Sequence, residues 1–437
     1  MKVTVLGLIA ALFPVCATAQ QRVTRLTLDD ALARGLEASQ RLAEMQARLD
    51  QAEANEAGRR AAEQPLVALQ GGYMRTNHVE EFAIAQPGQP LRVIYPDIPD
   101  NVHARLDLQW PIYTGGRGDA LVRAARAERD AAGQDLAAAR ADLRLEIARA
   151  FWALVTADDT AAVLDASLGS MDAHVRDLDA RLGQGLIPPN DLLSAQAQRS
   201  RQRMLAIEAQ NTRSVAEADL KRLMGTEADD HIEPAFTGEV GRMPDVSSEP
   251  LAADARVNRP ERRALEVRVE AARAREDAAN SSARPQIAVV AGYDYARPNP
   301  RIFPRNDEWR DSWDLSVNAS WSLWDGGRRA AERAEAAAGT RAAQSRVRDF
   351  DRTVTFEVRQ RWLELDSSHA AVAAAEDGVR AATEARRVVG ERYAAGVATS
   401  TDVLDAETAL LQAQLDRTRA IANMRLAEGR LQRAIGK

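Results

Sequence analysis

Apolar residues recur every three or four positions along several stretches of the chain, which is the spacing of one face of an α-helix. In the first long stretch, Leu143, Ile147, Phe151 and Leu154 follow this spacing, and no proline interrupts it. The pattern predicts six helices, over residues 27–63, 118–184, 191–224, 251–282, 329–394 and 402–435. The two longest have about 66 residues each and would be roughly 100 Å long. Such lengths are typical of coiled coils and bundles rather than of a thick globular core.

Strict alternation of apolar and polar residues replaces the helical spacing in four shorter stretches, which predicts β-strands. The predicted strands cover residues 66–74, 102–112, 286–295 and 312–323. In the last of them, Trp313, Leu315 and Val317 belong to one face, and Asp314 and Ser316 to the other. Strands of about ten residues with this division are typical of outer-membrane barrels, although a soluble β-sandwich has the same alternation. Five of the seven tryptophans lie in or beside these strands, which favours the membrane interpretation because aromatic residues concentrate at bilayer interfaces.

Two matched segments, 181–195 and 392–406, have the sequence chemistry of a tight turn between helices, and Arg, Gly, Asp, Leu and Ala recur in them at a constant offset of 211. Each has a glycine where a helix ends, which suits the left-handed conformation of a C-terminal cap. Asn190 in the first segment, and serine or threonine in the second, precede the next helix, where an N-terminal cap is required. Asp191 and Asp402 then fall in the first helical turn, where the helix dipole favours a carboxylate. We expect the two turns to form one functional end of the molecule.

The matched turns belong to an internal repeat, in which each half reads helix, strand, strand, long helix, helix. Paired glycines follow the second strand of each half, Gly115 with Gly116 and Gly326 with Gly327, and permit the turn into the long helix without a Cβ penalty. The predicted organisation is a first repeat at 20–225, a Gly- and Pro-rich equatorial linker at 226–250 and a second repeat at 251–437. The connections within the two strand pairs, 75–101 and 296–311, are predicted to be loops.

Residues 1–19 have the pattern of a secretory signal peptide, with Lys2 before an apolar run and a small-residue cleavage site that ends at Ala19. A transmembrane anchor is the alternative, but the apolar run is too short to span a bilayer comfortably. Cys16, the only cysteine, follows Val15, which does not suit a lipid-anchoring site. No later stretch is apolar enough for a membrane helix, so an exported chain is expected to be soluble, surface-bound or a β-barrel. The net charge of −6 offers no basic surface for nucleic acid.

The number of strands bears on the oligomeric state. Four strands cannot close a barrel, because the smallest known barrels have about eight. A dimer would supply eight strands, with an interior filled by side chains, whereas a trimer would supply twelve and leave a lumen. The strand count alone leaves both possibilities open.

The segments Trp110–Arg117 and Trp321–Arg328 lead from a predicted strand through two glycines into a long helix. They resemble the strand-to-helix signature of the TolC-like outer-membrane efflux protein family, and the resemblance covers essentially the whole mature chain. It implies a mainly α-helical protein with a membrane β-barrel, in which a homotrimer forms a twelve-stranded barrel continued by a long coiled-coil tunnel in the periplasm.

The implied location is the cell outer membrane, and the implied partners are a periplasmic adaptor (membrane fusion) protein and an inner-membrane transporter. The implied function is the exit duct of a tripartite efflux pump. The outer-membrane component of a type I protein secretion system is one alternative. A non-conducting coiled-coil envelope scaffold is an alternative of a different class.

The resemblance also implies roles for residues at the two turns. Acidic residues narrow the tunnel of the family at the helix tips, and Asp402 and Asp405, at positions i and i+3, match that motif. Three chains would place six carboxylates on the axis, which favours cations and raises the pKa of each by mutual repulsion. In the family a tyrosine and an arginine latch the tips onto an aspartate; Tyr393 and Asp191 match two of these positions, and Ala398 stands at the third. A simpler explanation is open for each residue: Asp402 would be an ordinary acidic residue of a first helical turn, and Tyr393 would only pack beneath the turn.

The exposed loops of the two turns are the expected adaptor-facing surface, although plain turn chemistry is the alternative explanation of their glycines. The residues concerned are Leu182, Gly183, Gly185, Gly396, Val397 and Thr399.

Little in the sequence suggests an enzyme. The five histidines are scattered, and no glycine-rich phosphate-binding loop follows a strand. We therefore predict no enzymatic activity, no cofactor and no metal site. No motif indicates the transported substrate.

Overall fold

A computed structural model of the chain describes residues 23–226, 231–235 and 246–437. The predicted signal peptide and much of the predicted linker at 226–250 lie outside the described residues. The helices are α1 (Leu28–Ala38), α2 (Gln40–Ala61), α3 (Arg117–Gly183), α4 (Pro189–Met224), α5 (Ser248–Asn258), α6 (Pro260–Ser281), α7 (Arg328–Ala394) and α8 (Ser400–Ala434). The strands are β1 (Val23–Leu26), β2 (Leu66–Arg75), β3 (Phe82–Ile84), β4 (Arg92–Tyr95), β5 (Asp100–Tyr113), β6 (His231–Pro234), β7 (Gln286–Arg297) and β8 (Arg310–Ser320). None of the helices in these ranges has a run of apolar residues long enough to cross a bilayer.

Two predicted helices are each divided by one extended residue. The helix expected over 27–63 is interrupted at Ser39 (φ −71°, ψ 112°), and the helix expected over 251–282 is interrupted at Arg259 (φ −67°, ψ 122°). Pro260 accounts for the second break, because proline disfavours the helical conformation of the residue before it. The prediction of one continuous helix is therefore wrong in both places.

The chain divides into two compact units. Among the described residues, the first comprises 23–39, 143–226, 231–235 and 363–430. The second comprises 40–142, 246–362 and 431–437.

An antiparallel sheet in the order β2–β5–β7–β8 is the main feature of the second unit. Leu69, Leu106, Tyr293 and Trp313 are register partners and form an apolar row across all four strands. These four side chains are 76, 45, 46 and 71% exposed, respectively. The chain therefore leaves one broad apolar face of the sheet uncovered.

The opposite face of the sheet is polar. On this face the Arg105 guanidinium donates hydrogen bonds to Asp107 at 2.7 Å, to Asp314 at 3.3 Å and to Asp294. The three carboxylates come from three adjacent strands, so charged groups on this face are paired across the sheet. The alternation read from the sequence thus corresponds to two chemically distinct faces.

Two details of the strand region differ from the sequence prediction. The fourth strand, expected over 312–323, ends at Ser320, and the Trp321 indole nitrogen donates to the Ala283 carbonyl oxygen at 3.0 Å. The connection expected to be a loop at 75–101 contains the antiparallel hairpin β3–β4. These strands are three and four residues long, which is too short for the alternation to be recognised.

The first unit contains the two turns between long helices. Its apolar clusters join α3, α4 and α8, and one of them contains Val175, Leu178, Leu192 and Ala195. A parallel pair of strands, β1 and β6, also belongs to this unit and was not predicted, because each strand has four residues.

Candidate functional site

The turn after α3 ends the helix with the two hydrogen bonds of a Schellman motif. The Leu186 amide donates to the Arg181 carbonyl oxygen at 3.0 Å, and the Gly185 amide donates to that of Leu182 at 2.9 Å. Gly185 has φ = 72°, which a residue with a Cβ adopts only with strain. The predicted glycine cap is confirmed.

The turn after α7 repeats this geometry. The Val397 amide donates to the Arg392 carbonyl oxygen at 2.9 Å, and the Gly396 amide donates to that of Tyr393 at 3.0 Å. Gly396 has φ = 76°. Equivalent atoms therefore form equivalent bonds 211 residues apart in the two turns.

The starts of the following helices differ from each other. The N-cap of α4 is Pro188, which makes no side-chain cap, so the predicted capping role of Asn190 is wrong. Pro189 occupies the first helical position instead, where its missing N–H is not needed. At α8 the Thr399 hydroxyl accepts from the Asp402 amide at 3.2 Å, which is the serine/threonine cap expected there.

Asp402 completes a capping box at the start of α8. Its carboxylate accepts from the Thr399 amide at 2.7 Å and from the Thr399 hydroxyl at 2.8 Å. These hydrogen bonds lower the pKa of Asp402, with a smaller contribution from the charge of Arg392. A ring of carboxylates was expected to raise the pKa of Asp402, whereas within one chain this pKa is lowered. The capping box is sufficient to explain an aspartate at this position.

Asp405 lies one turn further along α8 and is exposed. Among the described residues it makes no hydrogen bond or ion pair, whereas Asp402 is held by Thr399. No local structural role accounts for an acidic residue at this position.

Tyr393 is packed against the other helices rather than joined to Asp191. Its ring lies beneath the Arg181 guanidinium, 4.8 Å from ring centre to Cζ, and meets the His174 ring edge-to-face at 5.8 Å. Its hydroxyl is buried and has no hydrogen-bond partner in the described chain. Burial raises the pKa of Tyr393, the charge of Arg181 opposes that rise, and the charges of Asp177 and Asp191 add to it.

The partners of Tyr393 were not identified from the sequence. Arg181 is held by Asp177 at 2.9 Å, and the His174 Nε2 atom lies 3.2 Å from the Ser400 hydroxyl. Burial lowers the pKa of His174, which favours the neutral ring. The one available signal was spacing, since His174 and Arg181 are seven residues, or about two helical turns, apart.

The tips of both turns expose an apolar residue directly after the capping glycine. Leu186 is 68% exposed and Val397 is 63% exposed. A Cβ added at Gly183, Gly185 or Gly396 would meet no atom within 4 Å. Both loops are therefore open surfaces of the chain.

The strand-to-helix glycines lie in the second unit and all adopt positive φ. The values are 67° and 85° at Gly115 and Gly116, and 68° and 92° at Gly326 and Gly327. Asp325 caps the second of these turns by accepting from the Gly327 amide at 3.2 Å and the Arg329 amide at 3.1 Å.

Helix α4 carries an exposed apolar stripe on the face opposite its buried residues. This α4 stripe consists of Leu193, Met204 and Val215, which are 61, 55 and 61% exposed. The residues are eleven positions apart, or about three helical turns, so they share one face. No described residue covers this face of the helix fully.

The positions 211 residues further on form the corresponding stripe of α8, namely Leu404, Leu415 and Leu426. These three residues are partly buried, and Leu404 and Leu415 pack against clusters that contain residues of α3 and α4. The two equivalent stripes therefore differ, because that of α8 is partly packed within the chain whereas the α4 stripe is exposed.

Comparison with known proteins yields consistent matches. A family model described as "Outer membrane efflux protein" matches residues 31–226 and 251–437. The curated protein CyaE of Bordetella pertussis is 28% identical over 316 residues, which is 71% of this chain and 63% of CyaE. The chain thus spans less than two thirds of the length of that relative.

Three solved structures share the fold at lower identity. The outer membrane protein VceC of Vibrio cholerae superposes with a TM-score of 0.76 at 21% identity, covering 94% of this chain and 96% of VceC. The CmeC outer membrane channel of Campylobacter jejuni gives 0.79 at 15% identity, over 99% and 94% of the two chains. The MtrE outer membrane channel of Neisseria gonorrhoeae, solved in its open state, gives 0.76 at 17% identity, over 94% and 88%.

Proposed function

Because the chain belongs to the outer membrane efflux protein family, we propose that it is the outer-membrane exit duct of a tripartite efflux pump. Members of the family are outer-membrane channels with a periplasmic helical part. The chain is accordingly located in the outer membrane, with its helical part in the periplasm. They act with a periplasmic adaptor and an inner-membrane transporter, which are the partners we propose here. We also propose that the chain itself catalyses no reaction.

The observation that carries the proposal is the division of the sheet into two faces. The apolar row from Leu69 to Trp313 is exposed in the chain, and a bilayer is the solvent that such a face prefers. The four strands have 10 to 14 residues, which is long enough for a transmembrane β-strand, since about 9–11 residues suffice. The polar face around Arg105 is then the face turned toward water.

The sheet is incomplete within one chain, because β2 and β8 are each paired along one edge only. Unpaired backbone groups in a membrane cost several kcal/mol each, so an open edge is not stable there. We propose that β2 of one copy pairs with β8 of the next, which closes a barrel from several copies.

The α4 stripe supports the same ring-like assembly of copies and suggests how their helices meet. Leu404 and Leu415 of α8 are covered by helices of the preceding repeat in the same chain. In a ring of repeats, Leu193 and Met204 of α4 would be covered in the same way by the neighbouring copy. This is a head-to-tail interface, and it closes when the rotation between copies is a simple fraction of a turn. Three copies would supply the twelve strands that leave a lumen.

At the tips we propose that Asp405 is the main carboxylate of the constriction. Asp402 contributes charge but is committed to its capping box with Thr399. The Tyr393 hydroxyl lacks a partner within the chain, and a neighbouring copy can supply the acceptor that a latch requires, with Asp191 as the candidate. Gly183, Gly185, Gly396 and Val397 form the proposed adaptor-facing surface, to which we add the exposed Leu186.

Spin labels on β8 test the membrane assignment. The only native cysteine, Cys16, lies in the predicted signal peptide, so Ser316→Cys and Val317→Cys introduce single labels on opposite faces. In outer-membrane vesicles, we expect the label at 317 to be accessible to oxygen and the label at 316 to a water-soluble nickel chelate. Equal access of the chelate to both labels would contradict the proposal.

A further inference from the structure

A basic cavity lies where the sheet meets the helices of the second unit. It has a volume of about 390 Å³ and is bordered by the ends of β7 and β8 and by α3, α6 and α7. Five arginines line it: Arg117, Arg275, Arg284, Arg328 and Arg329. Glu332 is the one acidic residue of its lining. We call this space the arginine cavity.

Three of the five guanidinium groups are neutralised by a nearby carboxylate. Arg275 pairs with Glu128 at 2.8 Å. Arg328 pairs with Glu332 at 2.9 Å, and Arg329 pairs with Asp325 at 2.7 Å. The remaining two cations are therefore the ones that decide the charge of the cavity.

Arg117 and Arg284 have no carboxylate partner among the described residues. Arg284 donates to the Gly115 carbonyl oxygen at 3.0 Å, while the exposed Arg117 side chain makes no hydrogen bond or ion pair there. Glu63 and Asp119 lie near the first turn of α3, but neither lines the cavity. The cavity thus has an excess of positive charge with guanidinium donors left to bind a ligand.

The cavity opens on the polar face of the sheet. Gln286 and Ser320 line it and are register partners, so they lie on the same face as the partners Val290 and Ser316 further along the strands. The exposed Val317 belongs to the opposite, apolar face. A ligand therefore reaches the cavity from water and not from the hydrocarbon of a bilayer.

We propose that the arginine cavity binds the oxyanion group, a phosphate, sulfonate or carboxylate, of a small solute that moves through the channel. Guanidinium groups bind such oxygens through paired, charge-assisted hydrogen bonds, and Ser320 and Ser322 add hydroxyl donors. The volume is at the lower end of the range for small-molecule sites. The inference rests on the proposed function for the origin of the solute, and each copy in a ring contributes one such site.

The test is equilibrium dialysis of radiolabelled pyrophosphate against the full-length protein in neutral detergent micelles, which requires no conduction. Arg117→Gln and Arg284→Gln are compared, singly, with the wild type and with Arg346→Gln. Arg346 is an exposed arginine of α7 outside the cavity, so its loss controls for net charge. We expect each cavity variant to weaken binding about tenfold, or about 1.4 kcal/mol, because it removes a charge-assisted hydrogen bond to the ligand. The control is expected to bind as the wild type does.

Three results would overturn the inference. They are the absence of saturable binding, equal binding by all four proteins, and binding that appears only when phosphatidylglycerol is present in the micelles. The last would identify a lipid headgroup rather than a solute. Dialysis measures binding directly and does not depend on conduction. A protein that binds pyrophosphate but does not conduct would therefore contradict the proposed function and leave the binding site intact.

Discussion

Replacement of the α4 stripe by serine tests the ring most sharply. Full burial of a leucine, valine or methionine side chain stabilises by about 1.5–3 kcal/mol. Leu193, Met204 and Val215 still expose 61, 55 and 61% of their surface in the single chain. Covering that remainder would therefore contribute about 1–2 kcal/mol for each residue. The triple variant should lose about 3–5 kcal/mol at each interface, and each copy in the ring takes part in two interfaces.

The assay is native mass spectrometry of the protein released from detergent, with dissociation followed as detergent concentration rises. We expect the wild type to persist as a trimer and the triple serine variant to dissociate at lower detergent, with unchanged helical circular dichroism. Gln210→Ser is the matched control, because Gln210 is exposed on α4 but lies off the stripe. Leu415→Ser provides the converse, since that residue packs within the chain and its loss should lower the stability of the protomer itself. A triple variant that dissociates at the same detergent concentration as the wild type would refute the ring closure through α4.

The remaining predictions concern the turns and one partly buried carboxylate. Asp405→Asn should lower cation selectivity, measured as the reversal potential in a salt gradient, without loss of thermal stability; an unchanged potential would remove Asp405 from the constriction. Tyr393→Phe should leave the unfolding temperature of a dissociated protomer unchanged, because the hydroxyl has no partner in the chain, and a clear loss of stability would show that it has one. Burial alone would raise the pKa of Glu261, but hydrogen bonds from Arg259 and Arg433 outweigh it and lower that pKa to about 2. Because the folded-state pKa lies below the unfolded value, this carboxylate contributes up to about 3 kcal/mol above pH 4.5, and the contribution is lost as pH falls toward 2. The stability difference between the wild type and Glu261→Gln, measured by denaturation at successive pH values, should therefore shrink as pH falls from 5 to 2; a constant difference would contradict the assignment.

Local chemistry made the turns predictable from sequence. Gly185 and Gly396 are required by a positive φ, and the hydrogen bonds that surround them involve only neighbouring backbone atoms. The two faces of the sheet were predictable for a similar reason, since side chains of a strand alternate whatever the strand packs against. By contrast, the N-cap of α4 was mispredicted because Pro188 and Asn190 offer competing starts two residues apart.

Contacts between distant segments were not predictable. Tyr393 meets His174 and Arg181, which lie more than 200 positions earlier, and no periodicity in the sequence links these residues to the tyrosine. The same limit applies to burial. Leu193 and Leu404 occupy equivalent positions in similar helices, yet only the second is packed within the chain, because only α8 has the helices of a preceding repeat of its own chain beside it.

Single-channel recording of the purified protein in a planar lipid bilayer tests the central claim most directly. We predict discrete, cation-selective conductance steps from material whose native mass corresponds to three copies. A protein that assembles and inserts but carries no current under any applied voltage would identify a non-conducting scaffold and contradict the account.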